Sequence, residues 1–327
     1  MDVQVSIVVP ARDEAPIIGE CLEALSRQTI GATALEVVVV AAGEDDTAGA
    51  ASRVGAALPF GRFEVLRLEA GNKNVALRHG CARTHAPIIV LLDADTIVEP
   101  DAIAVLARAL GEGPERAVHG AALPRHDTWV SRYWELNRRL VKDLRFDGDL
   151  SGELIAMRRA TLAARELHLL FPETLGAKCD LYLGRALEAG GCTIAYAPEA
   201  RARTMTPWTL RGLAQTMLRS RRGRMATLAL GPASLQAGLS ALVVGSAPVA
   251  IVASRWLHGF AVILLAPLAG YAAWTVMRVA ALHERGLVRR VPAFLLCDLL
   301  GRACKVAAYT ERIIGRSPPL TFRGQRA

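Results

Sequence analysis

Short apolar runs in the N-terminal part constrain this chain most. Residues 5–10, 35–42, 63–68 and 88–92 each have the length and side chains of a β-strand. Between them Ile17, Ile18, Cys21, Leu22 and Leu25 recur at helical intervals within residues 16–28, and residues 72–83 read as a further helix. The valine-rich run at 35–42 has the pattern of a strand covered on both faces. Strands alternating with helices imply βαβ units and a mostly parallel sheet. Such sheets gather ligands at the carboxyl ends of their strands, so the residues just after each run carry the functional information.

The 327 residues include 39 Lys and Arg against 31 Asp and Glu, a formal charge of +8. With 52% hydrophobic and 21% charged residues, the composition excludes a disordered or highly charged chain. The six cysteines form no CxxC pair, which argues against a disulfide scaffold or a zinc ribbon. The opening segment carries Asp2, Gln4, Arg12, Asp13 and Glu14, unlike a signal peptide, so a reducing, cytosolic setting is expected.

Hydrophobicity is concentrated towards the C-terminus. Residues 233–254 and 256–277 contain no Asp, Glu, Lys or Arg. Each reaches the roughly 20 residues that cross a hydrocarbon core of ~30 Å. A transmembrane hairpin is expected there, with a pair of buried core helices as the alternative. Arg219, Arg221, Arg222 and Arg224 precede it, and Arg278, Arg285, Arg289 and Arg290 follow, so both ends are expected to face the cytoplasm. Residues 291–314, with Asp298, Arg302, Lys305, Glu311 and Arg312, are too polar for a span and predict an amphipathic helix at the interface. The resulting division is a soluble α/β domain at 1–227, two transmembrane helices at 228–282 and an amphipathic helix with a tail at 283–327. The positive charge suits anionic lipid head groups. No aromatic-interleaved basic motif supports nucleic-acid binding.

Asp93-Ala94-Asp95 directly follows the run IIVLL. Two carboxylates one residue apart at a strand end can hold a hard divalent cation beside a substrate diphosphate, since Mg²⁺ prefers few protein carboxylates plus phosphate oxygens. Around this motif, VSIVVPARDEAPIIGECLEALSRQT resembles the first strand and helix of family 2 glycosyltransferases, which have the GT-A nucleotide-sugar fold. GNKNVALRHG is similar to their segment before the metal motif, and LLDADTIVEPDAI to the motif and its following helix. LSGELIAMRRATL resembles the acceptor-side strand, CDLYLGRALEAGG the segment bearing the catalytic base, and RRGRM the basic (Q/R)xxRW motif of membrane-bound members. The blocks occur in the family's order.

The resemblance implies a GT-A, Rossmann-like sheet and inverting transfer of a sugar from a nucleotide diphosphate sugar. By it, Asp95 ligates Mg²⁺ or Mn²⁺, and Asp93 contacts the ribose or the metal's water shell. Asp180 matches the base that takes the acceptor hydroxyl's proton as it attacks the anomeric carbon. Its alternative is a helix N-cap. Pro10, Arg12, Glu14 and Lys73 fall on the nucleotide side. Arg221 and Arg224 would sit beside the diphosphate, where a planar cationic fork suits phosphate oxygens, or else form a juxtamembrane basic patch.

Some residues depart from the family pattern. Ala41-Ala42-Gly43 stands where an acid usually contacts the base, with Glu44, Asp45 and Asp46 following; Cys179 replaces a common acid, and Met225 the usual Trp. Asp13 is a candidate helix cap, and Glu153 either an acceptor contact or a surface carboxylate. The expected activity is a membrane-attached glycosyltransferase at the cytoplasmic face of the inner membrane, using a lipid or lipid-linked saccharide hydroxyl as acceptor. Transfer to polyprenyl phosphate, and a non-catalytic scaffold with a degenerate domain, are the competing readings.

Overall fold

The apolar runs become adjacent strands. In this computed structural model the described residues are 3–69, 72–111, 113, 116–142, 150–175, 179–227, 230–257, 265–280 and 291–315. The chain runs through β1 (Val5–Arg12), α1 (Ile18–Ser26), β2 (Leu35–Ala42), α2 (Thr47–Gly55), β3 (Arg62–Arg67), α3 (Lys73–Cys81) and β4 (Ile88–Leu92). It continues with β5 (Ile97–Val98), α4 (Ala102–Leu110), β6 (Arg116–Pro124), α5 (Trp129–Lys142), β7 (Leu154–Arg158), α6 (Arg159–Ala163), α7 (Leu167–Leu170), α8 (Cys179–Ala189) and β8 (Thr193–Thr204). α9 (Leu210–Thr227), α10 (Leu230–Leu257), α11 (Ala266–Ala280) and α12 (Val291–Ile313) follow. Two units emerge, one of residues 1–125 and 141–205, the other of 126–140 and 206–327. α9 therefore groups with the C-terminal helices, and α5 joins them from the middle of the sheet's sequence.

The first unit is a mixed α/β sheet with strand order β3-β2-β1-β4-β7-β6-β8-β5. β3, β2, β1 and β4 are mutually parallel, and β6 pairs parallel with β8. β7 runs antiparallel between β4 and β6, and β5 antiparallel to β8. The carboxyl ends of β1, β4, β6 and β8 therefore share one side of the sheet. Alternation divides the core between two faces. Val5, Ile7, Val9, Val90 and Leu92 pack on one face with helices α1 and α4, whereas Val8, Ile89 and Leu91 join Leu77 and Leu183 on the other. A bulge breaks the β6–β8 register after Gly120, where any Cβ would lie 2.3 Å from the Ala200 carbonyl oxygen. Glycine is required at that close approach.

Glu36 shows how the valine-rich strand tolerates a charge. Its side chain is 1% exposed. It pairs with Arg62, accepts from the Ser6 hydroxyl, and accepts from the His85 backbone N–H at 2.8 Å. Burial alone would raise this carboxyl, but the bonds from Ser6, His85 and Arg62 outweigh it and hold it at about 2, below the ordinary 4.5. The depressed value means that this stabilisation is complete above the ordinary range and disappears as pH falls towards the folded value. It amounts to about 3 kcal/mol. Denaturant unfolding at successive pH values should show this loss in the parent chain. Glu36→Gln should be less stable near neutrality, with a flatter profile that converges on the parent in acid.

The second unit is helical. Val130, Tyr133 and Leu136 of α5, Leu213 and Met217 of α9, and Phe294, Cys297 and Cys304 of α12 form its core. Asp298 of α12 accepts from the Tyr133 hydroxyl at 2.6 Å and the Tyr271 hydroxyl at 2.9 Å. Glu311 receives a bidentate pair from Arg222, at 2.6 and 2.7 Å. The expected interfacial role of α12 is thus revised: its stripe of Phe294, Cys297, Gly301, Cys304 and Ala308 is buried against protein.

The expected transmembrane hairpin is also corrected. Among the described residues, no helix is long and apolar enough to cross a membrane. α11 has 15 residues, or about 22 Å against a core of ~30 Å. Residues 258–264 between α10 and α11, and the flanking Arg285, Arg289 and Arg290, lie outside the described residues.

Candidate active site

The chemistry-bearing residues converge where β4 ends. The apolar β4 carries the chain to Asp93, whose N–H donates to the Glu153 carbonyl at 3.1 Å, just beyond the β4–β7 ladder. The Thr96 N–H closes the following turn on the Asp93 carbonyl at 3.0 Å. Lys73 opens α3, and Asn72 caps that helix by accepting from the N–H groups of Asn74 and Val75 at 3.0 and 3.1 Å. The Lys73 ammonium bonds Asp93 and lies 3.4 Å from the Gly152 carbonyl oxygen.

Asp180 enters from the opposite wall, in the first turn of α8. A Cβ on Gly152 would stand only 3.1 Å from the Asp180 Cβ, so the Asp180 side chain packs directly over this glycine. Lys73, Asp93, Gly152, Cys179 and Asp180 line one cleft over an apolar floor that includes Leu91, Ile155, Phe171 and Leu183. The acid therefore lies within the helix rather than capping it, and its charge suits the positive end of the helix.

Electrostatics agree with this crowding. Burial, reinforced by Asp95 and Glu153 and opposed by Lys73, pushes the Asp93 carboxyl up to about 6. Burial would lower Lys73, but Asp93, Cys179 and Asp180 outweigh it and keep the ammonium charged well above its ordinary range. The Cys179 thiol is pushed up to about 11, mainly by burial, which leaves it protonated and poorly nucleophilic.

Asp95 sits beyond the turn. Its Oδ1 accepts from Thr204 at 3.3 Å and from Thr96 at 3.4 Å, joining β4 to the end of β8. Glu14 lies in the same neighbourhood, because burial and then Asp95, Asp93 and Glu14 together raise the Cys21 thiol. Pro10 pairs with Val40 inside the sheet, and Arg12 ends β1 with its Nε 3.7 Å from an Asp13 oxygen. Arg221 lies on α9 in the helical unit, and the side chain of Arg224 lies outside the described residues.

One expectation about this loop changes. Asp13, with φ 54°, fastens the turn after β2 instead of capping a helix. Its Oδ1 accepts from the N–H groups of Glu44 and Asp45 at 2.7 and 3.3 Å. Asp45 in turn accepts from the N–H groups of Ala15 and Thr47, each at 2.9 Å, and Asp46 pairs with Arg53 at 3.0 Å. These two acids hold the loop although they, like Glu44, are exposed. Thr204 and Gly152 were not singled out from the sequence. Thr204 lies 109 residues from its partner Asp95, and glycine beside an acid has no local signature.

Among the described residues, no group of three or more His, Cys, Asp and Glu side chains forms a metal cage. A cation shared with a diphosphate needs no such cage, and Asp93 and Asp95 supply hard carboxylate oxygens.

A family profile described as glycosyltransferase like family 2 matches residues 3–223. The chain belongs to that family. This glycosyltransferase, which acts on nucleotide-sugar donors, matches no curated protein. Among solved structures, its fold is similar to that of the mannosyltransferase PcManGT from Pyrobaculum calidifontis, described in complex with GDP-Man and Mn²⁺. Their identity is 20% and the TM-score 0.59, over 96% of this chain and 88% of the other. A glucosyl-3-phosphoglycerate synthase from Mycobacterium tuberculosis is 21% identical with a TM-score of 0.46, over 68% of this chain and 78% of that one. S. aureus TarS is 17% identical with a TM-score of 0.48, over 94% of the glycosyltransferase and 54% of TarS.

Proposed function

We propose that this glycosyltransferase is inverting and metal-dependent, is attached to the cytoplasmic face of the inner membrane, and glycosylates a lipid or lipid-linked saccharide hydroxyl. The observation carrying the catalytic part is that Asp93 and Asp180 line one cleft with Lys73. Asp180 accepts the proton of the acceptor hydroxyl as its oxygen bonds to the anomeric carbon. The bond from that carbon to the donor diphosphate breaks on the opposite side, which inverts the configuration. Lys73 holds Asp93 in place and brings a fixed positive charge to the diphosphate side. Arg221 and Arg224 are candidates for the same phosphates.

Asp93 and Asp95 are the residues that would hold Mg²⁺ or Mn²⁺. Their fit rests on the chemistry of the donor set, two hard carboxylate oxygen donors one residue apart at the end of β4. When bound, the ion acts as a Lewis acid that offsets charge on the departing diphosphate.

Membrane attachment is supported by the inside-out pattern of α10. Ala233, Ala237, Ser240, Ser246 and Ala250 are buried, while Leu235, Leu239, Leu242, Val249 and Val252 are 53–66% exposed. A helix facing water places its large aliphatics inward. Small residues at the packing face with leucine outward suit a lipid environment.

The test is a thermal-unfolding panel of nucleoside diphosphate sugars, including GDP-mannose and UDP-glucose, with Mn²⁺ or with EDTA. A donor present at a hundred times its Kd should stabilise by about 2.7 kcal/mol, a rise of several degrees. EDTA should remove that rise. An equal rise in EDTA would overturn the metal assignment, and no rise with any donor would overturn the donor reading.

A further inference from the structure

We propose that Asn72 and Asn74 are positioning residues that strap the approach to α8, and with it Asp180, onto the first turn of α3. This rests on the reading of Asp180 as the proton acceptor. The two amides flank Lys73 in sequence, and both reach across to residues 172–175. The Asn72 Nδ2 donates to the Glu173 carbonyl. The Asn74 Nδ2 donates to the carbonyls of Pro172 at 2.9 Å and Leu175 at 3.4 Å. One turn further along α3, Arg78 lies 3.8 Å from the Glu173 carboxylate. The strapped segment ends shortly before Cys179 opens α8.

The first turn of α3 thus touches both halves of the reaction centre. Lys73 holds Asp93 and approaches the Gly152 carbonyl, while its neighbours hold the segment that delivers Asp180. Gly152 packs directly against Asp180, leaving room for no side chain between them. Fixing the segment therefore fixes the separation of Asp180 from Asp93.

The chemistry of the strap requires amides. Its targets are carbonyl oxygens, so the side chain must donate, and a carboxylate there would repel them. Asn74 is 1% exposed, and its Oδ1 has no hydrogen-bond partner among the described residues. Its buried acceptor is left unused while its donor serves two carbonyls, which points to a side chain held for its N–H groups.

Asn72→Asp and Asn74→Asp separate this role from simple folding. Asn72→Asp keeps the capping oxygen and adds charge suited to a helix start, so α3 survives while the strap is cut. Asn74→Asp is nearly isosteric and removes both donations. The first readout needs no substrate: reaction of Cys179 with DTNB, identified by loss of that phase in Cys179→Ala. Both variants should raise its rate about tenfold, as local opening exposes the start of α8. The second readout is nucleoside diphosphate release from the stabilising donor. Turnover should fall about 10- to 100-fold through misplacement of the base, with the donor-induced thermal shift unchanged.

Parent-like DTNB rates in Asn72→Asp would overturn the strap, even if Asn74→Asp failed to fold. Increased DTNB reactivity with parent-like turnover would overturn its role in positioning Asp180 for transfer. Asp180→Asn in the same assays separates the two readings: parent-like turnover there would reject the base assignment, while the DTNB rates would still decide the strap.

Discussion

Asp180→Asn is expected to abolish sugar transfer while leaving donor binding intact. The substitution keeps size and hydrogen-bonding capacity but removes the basic oxygen that receives the acceptor's proton. General-base catalysis contributes roughly 10²–10⁴-fold, so turnover should fall by about that factor. The donor should still raise the unfolding temperature as it does in the parent, because Lys73 and Asp93 keep their own pairing. Weakened donor binding to the same degree as turnover would place Asp180 on the donor side and reject the base assignment. Undiminished turnover would reject it outright.

The second large effect concerns the outward face of α10. The parent chain should float with phosphatidylglycerol vesicles, and Leu239→Asp combined with Leu242→Asp should not. Both leucines are more than half exposed, at 54% and 57%, so neither substitution opens a core cavity. Two charges on the face that meets the lipid oppose burial of its apolar surface, so partitioning should fall by at least about tenfold. Thermal unfolding and donor stabilisation should remain near the parent's. A parent chain that stays below the vesicles, or a double variant that floats with them, would remove the case for membrane attachment.

Much of the first unit was legible in its sequence because its signals are local. Strand period, the position of Asp93 after an all-apolar run, and the helix carrying Asp180 are each contained in short segments. That Asp93 and Asp180 share a cleft came through family resemblance, since nothing in the intervening residues encodes the fold-back. Contacts between distant segments were not legible: the Thr204–Asp95 bond, the burial of Glu36, and the fastening of the β2 turn by Asp13. Asp13 was read as a helix cap because short polar residues before a helix usually are. Its positive φ and the adjoining Gly43 direct it to the turn instead.

The C-terminal helices show a different limit. A long uncharged run has the same composition whether it faces lipid, a partner or its own chain. What distinguishes α10 is which residues face inward, and that follows from its packing. The apolar stripe of α12 was similarly ambiguous until its neighbours on α5 and α9 were known.

The excursion of α5 has a consequence for how this protein can be divided. Residues 126–140 leave the sheet between β6 and β7 and bury Val130, Tyr133 and Leu136 among the C-terminal helices. A fragment ending after β8 would retain that helix but lose the surfaces that cover it. A single cut after β8 therefore cannot release the sheet unit in intact form, because it strips α5 of the helices that bury it.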